Sequence, residues 1–231
     1  MRIIFVRHGH SDYTNDCLTP LGHKHAAAAA KRLKEEGIQQ IFSSTCGRAY
    51  ETAEYTAGML GLSIEKCEFM REIGWGSVDN LPLFAEGHPW STADAMVAEN
   101  KSLLETDWME VQPFCRNTLV QYVKNIAGAT DEWLETLGYS REGNYYRATG
   151  ISGETEKTVV AFGHGGASAV ILAHLFNLPF PFVCTTMGPD YTGITIVTFP
   201  EEMGKLVTPR FEILNDARHI QGLRVDNVYD N

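Results

Sequence analysis

Ile3-Ile4-Phe5-Val6-Arg7-His8-Gly9 is the stretch on which the reading of this chain turns. Four uninterrupted apolar residues read as a strand buried on both faces, as in a parallel sheet. The run ends in a guanidinium and an imidazole side by side. Open α/β sheets bind ligands beyond the carboxyl ends of their strands. Arginine offers a planar fork of donors that matches phosphate oxygens. Histidine offers a ring nitrogen that acts as nucleophile or base near neutral pH. Gly9 leaves room for backbone to approach a ligand closely. Read alone, the triplet is equally a strand end capped by a satisfied histidine, so the surrounding pattern has to decide.

Outward from this strand the chain alternates between two periods. Thr19-Pro20-Leu21 reads as a helix start, with Thr19 as N-cap and Pro20 in the first turn. That helix carries Leu21, His25, Ala28, Ala29 and Leu33 on one face and ends at Gly37. A strand is predicted over Ile38 to Ser43, a helix from about Arg48 to Leu60 stopped by Gly61, and a third strand over Ser63 to Met70. Regular pattern loosens after Gly74. A long helical stretch, interrupted near Gly128, is predicted from Val111 to about Leu137, and loop or an irregular hairpin from Gly138 to Glu156. Thr158 to Phe162 is another buried strand, followed by Gly163-His164-Gly165-Gly166 and an apolar helix from Ala167 to Phe176. Strands over Thr192 to Phe199 and Arg210 to Leu214 complete the pattern. Strand and helix in alternation predict an α/β fold: a three-layer α/β/α sandwich with a mostly parallel central sheet. The expectation is a single domain over residues 1–231, with about 77–157 as a helical and irregular cap insertion. Trp75, Phe84, Trp90 and Trp108 are expected as core of that cap rather than as a ligand wall.

Composition narrows the function classes. The 231 residues carry 19 Lys+Arg against 29 Asp+Glu, a net charge of −10. That balance excludes a global basic surface for nucleic acid or anionic lipid. An anion site must then be a local concentration of cations in a pocket. Five scattered cysteines (17, 46, 67, 115 and 184) with no C-x-x-C pair argue for reduced thiols rather than a disulfide frame or zinc site. No apolar run approaches the roughly 20 residues of a membrane span. The first strand begins too early for a signal peptide, and a cytoplasmic location is expected.

Two strand ends thus carry a histidine, and a third element joins them. Ser44-x-x-x-Arg48-Ala49-x-x-Thr52-Ala53 sets a second arginine in the first turn of a helix whose N-terminal amides also favour anions. These motifs resemble the histidine phosphatase superfamily, the phosphoglycerate-mutase-like fold. Arg7-His8-Gly9 is similar to its signature triplet, Ser44 to Ala53 to its second-arginine motif, and His164-Gly165-Gly166 to its second-histidine motif. Arg71-Glu72-Ile73-Gly74-Trp75-Gly76 resembles the stretch that carries the family's acidic proton donor, and Asn215 to Ile220 resembles a late segment of its phosphatase branch.

The resemblance implies a metal-independent phosphatase without a cofactor. His8 would take the phosphoryl group, while Arg7, Arg48 and His164 would hold the oxygens where charge accumulates. Glu72 would protonate the leaving alcohol, with Asp79 or Glu86 as alternative acids. Ser11 and Asn15 in the loop after His8, together with Gly165, are further candidate substrate contacts. The partner implied is a small phosphorylated substrate; no oligomeric state follows. A phosphoglycerate mutase is the alternative. Against it stand the short loop between His8 and Thr19, the acidic 77–157 segment, and the missing pair of adjacent arginines typical of the mutase branch. A nucleotide-binding module is weaker still: Gly163-x-Gly165 lacks a third glycine, and Val183 stands where a ribose-binding acid is needed. A non-catalytic phosphopeptide binder on the same fold is the remaining reading.

Overall fold

The structure, a computed structural model, describes residues 1–150 and 157–223. The chain begins with strand β1 (Arg2–Arg7), the short strands β2 (Ser11–Asp12) and β3 (Cys17–Leu18), helix α1 (Pro20–Leu33), β4 (Ile38–Ser44), α2 (Gly47–Leu60) and β5 (Ile64–Cys67). Helices α3 (Pro89–Ala98) and α4 (Leu119–Thr136) and the hairpin β6 (Tyr139–Glu142) and β7 (Tyr145–Ala148) follow. The chain closes with β8 (Thr158–Gly163), α5 (Gly165–Phe176), α6 (Phe180–Thr186), β9 (Ile194–Thr198), β10 (Leu206–Val207) and β11 (Arg210–Asp216).

Six strands form the central sheet in the order β11-β9-β1-β8-β4-β5. The pairs β1–β8, β8–β4 and β4–β5 are parallel, whereas β9 runs antiparallel to both β1 and β11. The alternation of side chains along each strand builds two separate cores. Ile3, Phe5, Val159 and Ala161 face a layer containing Trp133 of α4 and Val170 of α5. Ile4, Val6, Val160 and Phe162 face the opposite layer, with Leu33 of α1 and Ala53 and Ala57 of α2. Uniformly apolar strands flanked by helices on both faces are what a parallel sheet requires.

The register decides where the chemistry falls. Arg7 pairs with Gly163 across β1 and β8, and Ser43 pairs with Phe162 across β4 and β8. His8, His164 and Ser44 therefore leave adjacent strands at the same edge of the sheet. The helix start at Thr19 forms as its residues dictate: Thr19 Oγ1 accepts the Gly22 amide at 3.1 Å, and Pro20 opens the helix.

Three sequence expectations change. The strand predicted over 63–70 ends at Cys67, because Glu68–Met70 closes into a 3-10 turn. Helix α4 begins only at Leu119 and runs unbroken through Gly128; no Cβ contact lies near that glycine, so solvent-side helix tolerates it. The segment 77–157 is not one cap. Leu119, Trp133, Leu134 and Tyr146 sit in the main core, with the Trp133 ring 5.3 Å from Phe42 and 6.5 Å from Phe5. A helix whose buried side chains supply one layer of the sandwich cannot lift away from it. Positions 151–156 of the predicted loop lie outside the described residues. Among the described residues no helix is long and apolar enough to cross a membrane.

Candidate active site

His8 follows β1 directly and is 1% exposed. Its Nδ1 lies 2.7 Å from the Gly9 carbonyl oxygen. A carbonyl only accepts, so Nδ1 carries the proton and Nε2 keeps its lone pair. Burial pushes the imidazole well below its ordinary pKa, and the neighbouring His164 ring and the Arg7 guanidinium, either of which would repel a second positive charge, push it further. The side chain is thus a neutral, oriented nitrogen nucleophile. Gly9 has a packing role. A Cβ there would meet the Gly22 carbonyl oxygen at 2.7 Å, so helix α1 can lie against this loop only over a glycine.

His164 ends β8 and caps α5, with its ring centroid 5.2 Å from that of His8. Its Nε2 is 2.8 Å from Ser44 Oγ; that hydroxyl accepts the Cys46 amide at 3.2 Å and is free to donate its own proton to Nε2, which leaves Nδ1–H as the donor of a neutral ring. Burial first, then Arg48 and Arg7, hold this imidazole well below its ordinary pKa. Arg7 donates through Nη1 to the Pro189 carbonyl at 3.0 Å, and its guanidinium carbon stands 4.4 Å from the Tyr191 ring centroid. Arg48, buried in the first turn of α2, pairs with the carboxylate of Asp16, whose other oxygen accepts the Gly47 amide at 2.7 Å. Eight buried side-chain polar atoms among the described residues lack a hydrogen-bond partner, and three belong to this group: Arg7 Nε, Arg48 Nε and His164 Nδ1. Unpaired buried donors cost about 1–3 kcal/mol each, so their concentration at one strand edge points to an oxyanion as the group that completes them.

A cavity of about 270 Å³ opens at this edge. Arg7, Arg48 and Glu72 supply its charged side chains, Tyr13, Ile73, Trp75, His88 and Trp90 its walls, and Gly165, Gly188 and Pro189 the remaining side. His8 is 1% and His164 0% exposed, and Arg7 and Arg48 lie close enough to act electrostatically on both rings. Glu72 is the carboxylate that lines the cavity. Its Oε1 accepts the amides of Ala167 at 2.9 Å and Ile73 at 3.0 Å, and its Oε2 accepts that of Gly166 at 3.3 Å. Glu72 thereby satisfies first-turn donors of α5 that would otherwise be orphaned. A Cβ at Gly166 would lie 2.5 Å from Ile73 and 2.7 Å from Glu72 Oε1, so a side chain there would displace the carboxylate.

The structure brings Arg7, His8, Arg48, Glu72, His164 and Gly165 together. It does not bring in Asn15, whose amide turns outward to Asp12 at 2.7 Å. The neighbouring Asp16, at φ 50°, occupies the useful position instead. Ser11 is buried on β2 but is not part of the cavity lining. Of the alternative acids, Asp79 is locked by Arg116 through two hydrogen bonds of 2.8 Å and held far below the usual carboxylate range, and Glu86 is exposed. Neither lines the cavity. The aromatics expected as one core divide. Trp108 packs inside against Phe114 and Phe180, Phe84 is exposed, and Trp75 and Trp90 line the cavity. Sequence reasoning missed Asp16, Tyr13 and Tyr191. The late segment also supports the site. His219 Nε2 lies 3.0 Å from Thr192 Oγ1, the Thr192 amide donates to the His8 carbonyl at 3.3 Å, and Asn215 Oδ1 accepts the Asp190 amide at 2.9 Å.

With this geometry in place, comparison with known proteins is informative. The model of the histidine phosphatase superfamily (branch 1) matches residues 3–137. The chain belongs to that superfamily. The match carries Arg7, His8, Arg48 and Glu72; the fold adds His164. Among curated relatives, a "Probable phosphoglycerate mutase" of Yersinia pestis is 28% identical over 123 residues, which is 46% of this chain and 57% of that protein. The chain thus spans little more than half the length of the curated relatives it matches. Among solved structures, a mycobacterial glucosyl-3-phosphoglycerate phosphatase in complex with inorganic phosphate is 24% identical, with a TM-score of 0.64 over 94% of this chain and 98% of that one. A phosphoserine phosphatase of Entamoeba histolytica in complex with 3-phosphoglyceric acid is 20% identical, with a TM-score of 0.62 over 95% and 98%. These likenesses place the chain on the histidine phosphatase fold.

The buried histidines make stability depend on pH. His8, His25, His164 and His219 all sit below the ordinary value of 6.5, each chiefly through burial, and His219 falls to about 4. Below pH 6.5 the unfolded chain takes up protons that the folded chain refuses. Stability is therefore fully present above about pH 6.5 and declines as the pH falls toward each folded value. The thermal unfolding midpoint is expected to be lower at pH 5 than at pH 7.5, and an unchanged or higher midpoint at pH 5 would contradict this account.

Proposed function

We propose that this member of the histidine phosphatase superfamily is a metal-independent phosphatase that hydrolyses a small phosphomonoester through a phosphohistidine. The observation that carries the reading is the orientation of His8: Nδ1 committed to the Gly9 carbonyl, Nε2 unprotonated, beside Arg7 and Arg48. Nε2 attacks phosphorus as the bond to the alcohol oxygen breaks. Arg7, Arg48 and His164 Nδ1 hold the equatorial oxygens, whose charge grows in the transition state. Oε2 of Glu72, which accepts only one long hydrogen bond, is the oxygen assigned to proton transfer. It gives its proton to the departing alkoxide. In the second half-reaction it takes a proton from water as the water oxygen attacks phosphorus and the N–P bond breaks. Two guanidiniums supply the positive charge that a metal ion supplies elsewhere.

Assay of a panel of phosphate esters tests this. Phosphate release that is unaffected by EDTA, with an acid-labile phosphoenzyme trapped during turnover, is the expected result. Loss of activity with EDTA, or phosphate release without a phosphoenzyme, would overturn it. The name of the Yersinia relative favours a second reading, a phosphoglycerate mutase. A mutase must also hold a carboxylate and a second phosphate, and among the described residues the cavity lining contains no cation besides Arg7 and Arg48. Mutase turnover of a bisphosphoglycerate faster than phosphate release would decide for it.

Glu72→Gln separates proton transfer from helix capping, because the amide oxygen still accepts the α5 amides. The variant is expected to lose about 10²-fold in kcat on alkyl phosphates. It should lose much less on p-nitrophenyl phosphate, whose leaving group needs no proton. Equal losses on both esters would remove Glu72 from the proton-transfer role.

A further inference from the structure

We propose that the cavity selects phosphomonoesters whose alcohol carries an aromatic ring, and that Trp75 and Trp90 are its specificity residues. The proposal rests on the phosphatase reading and adds the substrate class. Its first support is charge. Arg7 already gives one nitrogen to Pro189 and Arg48 one to Asp16, so the donors that remain are what a single phosphate uses. The next arginine along the chain, Arg71, is turned to Thr45 and Glu68 and does not line the cavity. A leaving group bearing a carboxylate would meet Glu72 and, among the described lining residues, no cation beyond the two arginines that hold the phosphate.

Its second support is the scarcity of free polar groups in the wall. The Trp90 indole N–H is already donated to the Cys184 carbonyl at 3.1 Å, and His88 Nδ1 accepts the Ser91 amide at 3.3 Å. Burial also holds His88 below its ordinary pKa, so it adds no charge at neutral pH. Of the Trp75, His88 and Trp90 side chains, only His88 Nε2 and the Trp75 indole N–H are left for the several hydroxyls of a sugar, so most of them would be desolvated against indole and aliphatic surface without replacement partners, at a cost for each.

The third support is shape. Trp75 meets Trp90 nearly perpendicularly, at 81° with centroids 6.2 Å apart, and meets His88 at 76° and 5.0 Å. Two rings set as a corner let a planar guest stack on one face and touch the edge of the other, the two arrangements that aromatic pairs prefer. Hydrogen bonding to Cys184 fixes Trp90 in advance, which lowers the ordering cost of binding. Trp75 stays 40% exposed beside the cavity, so a guest gains apolar contact there. A volume of about 270 Å³ suits a phosphate and one ring better than a nucleotide.

The test compares benzyl phosphate with glycerol 3-phosphate, 3-phosphoglycerate and glucose 6-phosphate, all esters of alkyl alcohols, so that leaving-group acidity does not bias the comparison. The expected kcat/KM for benzyl phosphate is at least about tenfold above the others. Trp75→Leu should lower the ratio of benzyl to glycerol ester about tenfold through KM, and Trp75→Phe and Trp90→Phe should keep most of it. A preference for the phosphoglycerate or the sugar ester overturns the proposal, as does an equal loss on both esters in Trp75→Leu. Calorimetric binding of benzylphosphonate against methylphosphonate supplies a readout independent of hydrolysis. Tighter binding of the benzyl compound, weakened in Trp75→Leu, sustains the specificity even if no ester is hydrolysed. Equal binding overturns it whatever the activity.

Discussion

Replacement of His8 by alanine is expected to lower kcat by at least about 10⁴-fold and to abolish the trapped phosphoenzyme, while vanadate still binds. The size follows from the covalent route. Without Nε2 the covalent route is closed, and hydrolysis is left to direct attack by water. Binding persists because the oxyanion donors come from elsewhere: Arg7 from the end of β1, Arg48 from α2 and His164 from the end of β8. The fold should tolerate the change. The imidazole's one hydrogen bond to the protein is local, to the next residue's carbonyl, and water entering the vacated space can serve that oxygen. A variant that keeps kcat within tenfold of the parent would refute the covalent mechanism.

Arg48→Ala is expected to cost about 10³-fold in kcat/KM, the scale on which arginines act in phosphoryl transfer. Two effects combine. The site loses a forked donor, and the Asp16 carboxylate, still anchored on the Gly47 amide, is left to face an incoming anion. Arg48→Lys should recover less than a tenth of the parental value, because an ammonium that pairs with Asp16 has no second nitrogen to offer. Asp16→Asn serves as the control. It keeps an oxygen for Gly47 and removes the negative charge, so it should cost far less than Arg48→Ala. If Arg48→Lys matches the parent, the fork is irrelevant and Arg48 acts only as a charge.

The parts of this site that were legible in the sequence share one property. Each sits within four residues of a buried strand end, and parallel register then aligns the ends. Arg7, His8 and His164 could be read for that reason, and Arg48 because its helix starts directly after β4. The less legible parts depend on backbone reached from far away. Glu72 could be nominated, but its seat on the amides of α5, about 95 residues later, leaves no periodic trace. Asn15 and Asp16 differ by one position, and only the left-handed turn at Asp16 decides which side chain reaches α2. Trp75, Trp90 and Trp108 are chemically alike, and packing alone sorts them into wall and core. Helix α4 was placed in a cap because its neighbours are irregular, whereas its own apolar face pairs it with the sheet.

The contacts of the late segment carry a thermodynamic consequence. Arg7 is held by Pro189, and the 188–193 loop is held by Asn215 and His219, while His25 Nε2 secures the Leu223 carbonyl at 2.9 Å. An anion that fixes Arg7 and the docking of residues 215–223 therefore stabilise one another by the same free energy, as linkage demands. Substitutions in that segment can weaken phosphate affinity without coming near phosphorus.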